Sequence, residues 1–167
     1  MTGELLYRIA IIVHVLGAVV WVGGVLFMGM IAVPTAKKLG NEELRRQILD
    51  AMGRRFRPVG WTALGLLVAS GIYLMWHWGA TVETVLDLSF FEHAHGQKLG
   101  YKLMLVIPML VISAAHDFWL GPRATDPDRS EEEMERDRRL AGILGRITGI
   151  LVILIVVLAV FVTRPWA

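Results

Sequence analysis

The chain alternates long apolar runs with short charged ones. Uncharged, hydrophobic positions dominate residues 5–36, 58–78, 99–120 and 140–163, and the first of these holds no charge at all between Ile9 and Ala36. At about 1.5 Å per residue, each run is long enough for a helix to cross a hydrocarbon core of roughly 30 Å. The pattern predicts an all-α integral membrane four-helix bundle, with residues 1–167 forming a single four-span domain. Two polar stretches also carry helical signals. Residues 41–55 place Leu44, Ile48, Ala51 and Met52 on one face behind a capping Asn41, which predicts a short interfacial helix. Residues 126–139 carry Ser130 ahead of Glu131, Glu132 and Glu133, a strong helix start that extends the fourth span. No internal repeat is strong enough to argue for a duplicated half.

Charge sets the topology. The first connection carries Lys37, Lys38, Arg45, Arg46, Arg54, Arg55 and Arg57, and the third carries Arg123, Arg129, Arg136, Arg138, Arg139 and Arg146, whereas the second has Lys98 against Glu83, Asp87 and Glu92. Basic loops stay on the cytoplasmic side. The expectation is therefore a multi-pass protein of a prokaryotic inner (plasma) membrane with both termini outside. A cleaved signal peptide is disfavoured by the length of the first apolar run and by Glu4. Composition agrees, with 55% hydrophobic residues and a mean hydropathy of +0.56. The net charge of +2 sits in loops beside the spans, so the partner expected is the lipid bilayer and not nucleic acid. Absence of cysteine removes disulfides, thiolate metal sites and covalent haem attachment, leaving His, Met, carboxylate or backbone to hold any metal.

Chemistry concentrates on a few polar residues within the spans. His14 begins the pattern H-x6-W-x-G-G, and an ionisable residue at membrane depth marks a functional site by default. His14, Gly17, Trp21 and Gly24 share one helical face, where the glycines leave space for a close helix or for a flat cofactor. Two readings of His14 stand: a metal or haem ligand, and a histidine hydrogen-bonded to Ser70 or a carbonyl of a neighbouring helix. On the third span Lys102, Met109 and His116 recur at heptad spacing, with Met109 at about the depth of His14, roughly 13 Å below the outer surface. Lys102 also suits snorkelling to headgroups, and His116 an interfacial position. Gly142, Gly145 and Gly149 form a small-residue face on the fourth span beside Arg146. His77, His93, His95 and Glu92 offer an external metal site without the spacing of a known one. Met28, Met30, Met75, Met104 and Met109 read as core or lipid-facing residues before a copper ladder. Trp76, Trp78, Trp119 and Trp166 fit interfacial belts.

The His14–Trp21–Gly24 pattern, the stretch from Arg54-Arg55-Phe56 to Ser70-Gly71, and Gly96-Gln97-Lys98-Leu99-Gly100-Tyr101-Lys102-Leu103 together resemble the CopD membrane domain. They are also similar to HemJ-type protoporphyrinogen oxidases, as is the ending at Arg164-Pro165. The CopD resemblance implies copper uptake or resistance. The HemJ resemblance implies b-type haem and porphyrin oxidation, with His14 as ligand and Lys102 as a catalytic residue at a porphyrin carboxylate. The chain departs from the HemJ pattern in Met28 to Thr35 and before the fourth span, where Leu144-Gly145-Arg146 stands.

The leading expectation is a haem b redox or electron-transfer protein with His14 as one axial ligand. Met109, His116 or His77 would be the second, Gly17 and Trp21 would flank the ring, and Arg54 and Arg146 would be available for propionates. Its partner would be a redox protein or a porphyrin, and its activity that of a haem-dependent oxidoreductase. The alternative is copper transport, with His14, His77, His95 and methionines as relay ligands. A third reading is a structural subunit without cofactor. The glycine faces also allow a homodimer.

Overall fold

The computed structural model describes residues 2–124 and 130–163. Among these residues every element is helical: α1 (Thr2–Phe27), a π-turn (Met28–Ala32), α2 (Val33–Lys37), α3 (Glu42–His77), α4 (Val82–Leu86), a 3₁₀ turn (Ser89–Glu92), α5 (Ala94–Ala114), a second π-turn (Ala115–Leu120), α6 (Gly121–Arg123) and α7 (Glu131–Thr163). Four stretches are long and apolar enough to cross a bilayer: Gly3–Lys37, Glu42–His77, Gly96–Arg123 and Glu131–Val160. They coincide with the four predicted spans. Trp166, Arg164 and Pro165 lie outside the described residues, as does Arg129.

The second and fourth spans are longer than expected because their polar leaders are part of the same helix. Residues 42–55 continue without a break into the second span, so the helix expected there is present but is not a separate element. Asn41 caps it through Oδ1, which accepts the Leu44 N–H at 3.0 Å. Pairs along its exposed side, Arg45 with Glu42 and Arg54 with Asp50, support the first turns. Pro58 removes one backbone donor inside α3 and would ordinarily kink a helix. The turn carrying it is held by Phe56, whose ring lies against Gly24 of α1 and Gly60 of α3. The fourth span starts as predicted, with a reciprocal capping box between Ser130 and Glu133.

The helices form two compact units, Met1–Phe90 and Phe91–Ala167. In the first, α1 and α2 pack on α3 around Gly17, Trp21, Ala32 and Ala36 from one side and Gly60, Ala63, Leu64, Ser70 and Leu74 from the other. In the second, α5 and its π-turn pack on α7, burying Leu99, Met109, Ser113 and Leu120 with Asp137, Thr148 and Val152. Apolar side chains such as Val19, Ile72, Met104 and Ile150 remain exposed, as lipid-facing positions do.

Both units follow one order of elements: a span, a π-turn, a short helix with proline in its first turn, then a long helix with an acidic first turn. Aligned on Pro34 and Pro122, the leading spans set His14 against Lys102, Trp21 against Met109 and Ala32 against Leu120. The last two pairs are buried in both units. Aligned on Asn41 and Ser130, the long helices set Gly53, Arg57 and Gly60 against Gly142, Arg146 and Gly149. The repeat escapes sequence inspection because it conserves the places of turns, caps and buried positions, while residue identity survives at only a few of them.

Candidate functional site

His14 projects from the middle of α1 onto α3. Its Nδ1 lies 3.1 Å from the Leu67 carbonyl oxygen and 3.0 Å from Ser70 Oγ. A carbonyl only accepts, so Nδ1 carries the proton and donates. The Ser70 hydroxyl donates to the Leu66 carbonyl at 2.6 Å, which leaves Oγ as an acceptor for the same imidazole proton. The ring is thereby held with a proton on Nδ1. Gly71 lies beside the ring, where a Cβ would come into van der Waals contact with His14 Cε1 at 3.4 Å. The hydrogen-bonded reading of His14 describes its Nδ1, with Ser70 and a carbonyl both as partners. That arrangement is also how proteins orient a metal-ligating histidine, with one nitrogen fixed by a backbone or side-chain acceptor.

The face expected to leave room for a flat cofactor is filled. A Cβ at Gly17 would meet the Ala63 carbonyl oxygen and Leu67 Cγ at 3.1 Å. A Cβ at Gly24 would fall 2.0 Å from Phe56 Cε2. Trp21 lies between them, only 6% exposed. These glycines serve close helix packing, and the space beside Gly17 and Gly24 is taken by side chains and backbone of α3. Phe56 and the Leu67 backbone were not foreseen as partners of this face. The signal available was the matching small residues Gly60, Ala63 and Gly71 on α3.

The remaining candidates are dispersed. His77, at the far end of α3, stacks on Tyr7 with ring centroids 4.3 Å apart and lies 6.5 Å from Tyr73. Arg54 is exposed and paired with Asp50 at 2.5 Å, so it is already neutralised within its helix. In the second unit Met109 is 3% exposed, and Ser113 Oγ donates to its sulfur at 3.7 Å. His116 and Asp117 pair at 2.9 Å within the π-turn, a distortion of the helix often found at functional sites. Lys102 is half-buried on the same helix, and Arg146 is exposed on α7. No group of three or more His, Asp or Glu side chains able to hold a metal occurs among the described residues. His93 stands at the N-terminal boundary of α5 without a side-chain capping bond and does not join His77 and Glu92 in such a group, and the His95 side chain lies outside the described residues.

Four apolar helices of spanning length, with polar groups set into them, define a multi-pass integral membrane protein. Residues 50–162, the greater part of the chain, match the family described as copper resistance protein D, CopD, and the chain belongs to that family. The match takes in Ser70, Lys102, Met109 and His116 and begins after His14. An uncharacterised protein of Aquifex aeolicus (strain VF5) is 31% identical over 148 residues, covering 88% of each chain. No solved structure matches the chain. None of these findings points to haem, so the alternative drawn from the sequence is the better supported one.

Proposed function

We propose that the protein handles copper in the membrane, with the ion as its cargo. The observation that carries this reading is membership of the CopD family over residues 50–162. The donor chemistry is compatible. Neutral imidazole and thioether suit Cu(I), and both occur at buried or half-buried positions within the spans. His14 offers an imidazole whose ring is held by Leu67 and Ser70. Met109 offers a thioether and His116 an imidazole. These two lie on one face of the third span, roughly 10 Å apart along the axis, which suits successive stations better than one coordination sphere.

Copper binding tests the reading directly. The purified protein and its His14→Ala variant are titrated with Cu(I) against a chromogenic chelator, with helicity monitored by circular dichroism. The wild type is expected to withdraw copper from the chelator, and the folded variant to bind more weakly by more than the roughly tenfold that loss of a mere supporting partner costs. Folded wild type that leaves the chelator saturated, or that carries a Soret band on purification, would contradict the copper assignment.

A further inference from the structure

The first unit has a groove of about 320 Å³ between the end of α1 and the leading half of α3. Phe27, Met28, Met52, Phe56 and Val59 line it, and Arg55 supplies a guanidinium. Nearby arginines of α3 are neutralised within the helix: Arg45 by Glu42 at 2.6 Å, Arg46 by Glu43 and Arg54 by Asp50. Among the described residues Arg55 has no carboxylate partner, and Nε of Arg57, two residues on, is buried without a hydrogen-bond partner. The groove straddles a chemical boundary. Arg54, Arg55 and Arg57 give way to apolar sequence from Val59 onward, and Lys37 and Lys38 stand at the end of the first span.

We propose that this groove holds an acyl chain of an anionic phospholipid, with the phosphate seated on Arg55. The apolar lining would accept any lipid chain, so selectivity comes from the charge. An unpaired guanidinium at the edge of an apolar span attracts an anion strongly where water is scarce, and Arg is suited to phosphate because its planar fork donates two parallel hydrogen bonds. A zwitterionic headgroup presents its own cation beside the phosphate and gains less. Arg57 adds to the positive potential without lining the groove. The inference is independent of the copper reading, since it uses neither His14 nor any proposed donor.

Native mass spectrometry of the whole protein released from nanodiscs made of equimolar phosphatidylcholine and phosphatidylglycerol tests it. Wild type is expected to retain phosphatidylglycerol in preference. Arg55→Gln should lower that retention about fivefold, whereas Arg45→Gln, which removes the same charge from the same helix, should leave it unchanged. Val59→Trp, which fills the groove with Arg55 in place, should also lower it. Equal retention of both lipids by wild type, or equal losses in Arg45→Gln and Arg55→Gln, would overturn the proposal.

Discussion

The two units share one order of elements and use their small residues differently. In the first, two glycines of α1 are contact points, Gly17 against Leu67 and Ala63 and Gly24 against the Phe56 ring, while Gly23 on the same helix is open. In the second, Gly142, Gly145 and Gly149 of α7 have no atom within 4 Å of where a Cβ would stand. The polar groups follow the same division. His14 is tied across to α3 by its Nδ1, while His116 finds Asp117 beside it on its own π-turn. The Gly17–Gly24 face of α1 is closed against α3, whereas the Gly142–Gly149 face of α7 is open. A common plan therefore fixes where turns and caps fall without fixing what each helix face does.

Substituting glycine should separate the units most sharply. Gly24→Ala forces the Phe56 ring out of a slot bounded on its other side by Gly60, and should cost about 1–3 kcal/mol of stability through overpacking. Gly142→Ala, with open space around it, should be neutral or stabilising by up to about 1 kcal/mol, the gain in helix propensity. Thermal unfolding in detergent followed by circular dichroism measures both. A Gly24→Ala, Phe56→Leu double variant should recover part of the loss.

A smaller effect is expected at the His14 support. Ser70→Ala removes one of two acceptors for Nδ1–H and leaves the Leu67 carbonyl, so Cu(I) affinity should fall by about tenfold, at the low end for loss of a supporting hydrogen bond. Lys102→Gln alters the matching position of the second unit and should leave Cu(I) affinity unchanged. If the two variants behave alike, the assignment of different roles to the two positions fails.

The smallest effect lies in the connection between the units' spans. Leu88 sits at a positive φ of 66°. Asp87 Oδ1 accepts from the Ser89 N–H at 2.9 Å and from its hydroxyl at 2.7 Å. These hydrogen bonds, the hydroxyl first, hold the Asp87 carboxyl below its ordinary pKa. A lowered pKa means the ionised turn is favoured at neutral pH, and its contribution is lost only as pH falls through the carboxylate range. The Ser89 amide should exchange more slowly than its intrinsic rate at neutral pH, lose that protection as pH falls through the carboxylate range, and be unprotected throughout in Asp87→Ala.

The spans, the caps at Asn41 and Ser130 and the extension of the fourth helix were legible in the sequence, because hydropathy and capping are local properties. His14 was legible as a candidate for the same reason, since a lone imidazole in an uncharged run is conspicuous, and its tie to Ser70 and a carbonyl of α3 is the reading the structure displays. What filled the space beside it was not. Sequence spacing shows that Gly17 and Gly24 lack side chains, but whether Phe56 and Leu67 or a porphyrin occupies that space depends on how α1 meets α3. The continuity of α3 through Pro58 was hidden likewise, because proline signals a break and the packing of Phe56 opposes it. The repeated plan was invisible for a different reason: it lives in π-turns and buried positions, neither of which has a residue signature.

On the proposed function copper is the cargo and His14 contacts it. The most direct measurement is uptake of radioactive Cu(I) into proteoliposomes containing wild type, His14→Ala or no protein. Saturable uptake by wild type that falls to the protein-free level in a folded His14→Ala variant is the expected result. Uptake no greater than in empty liposomes, or equal in wild type and variant, would contradict it.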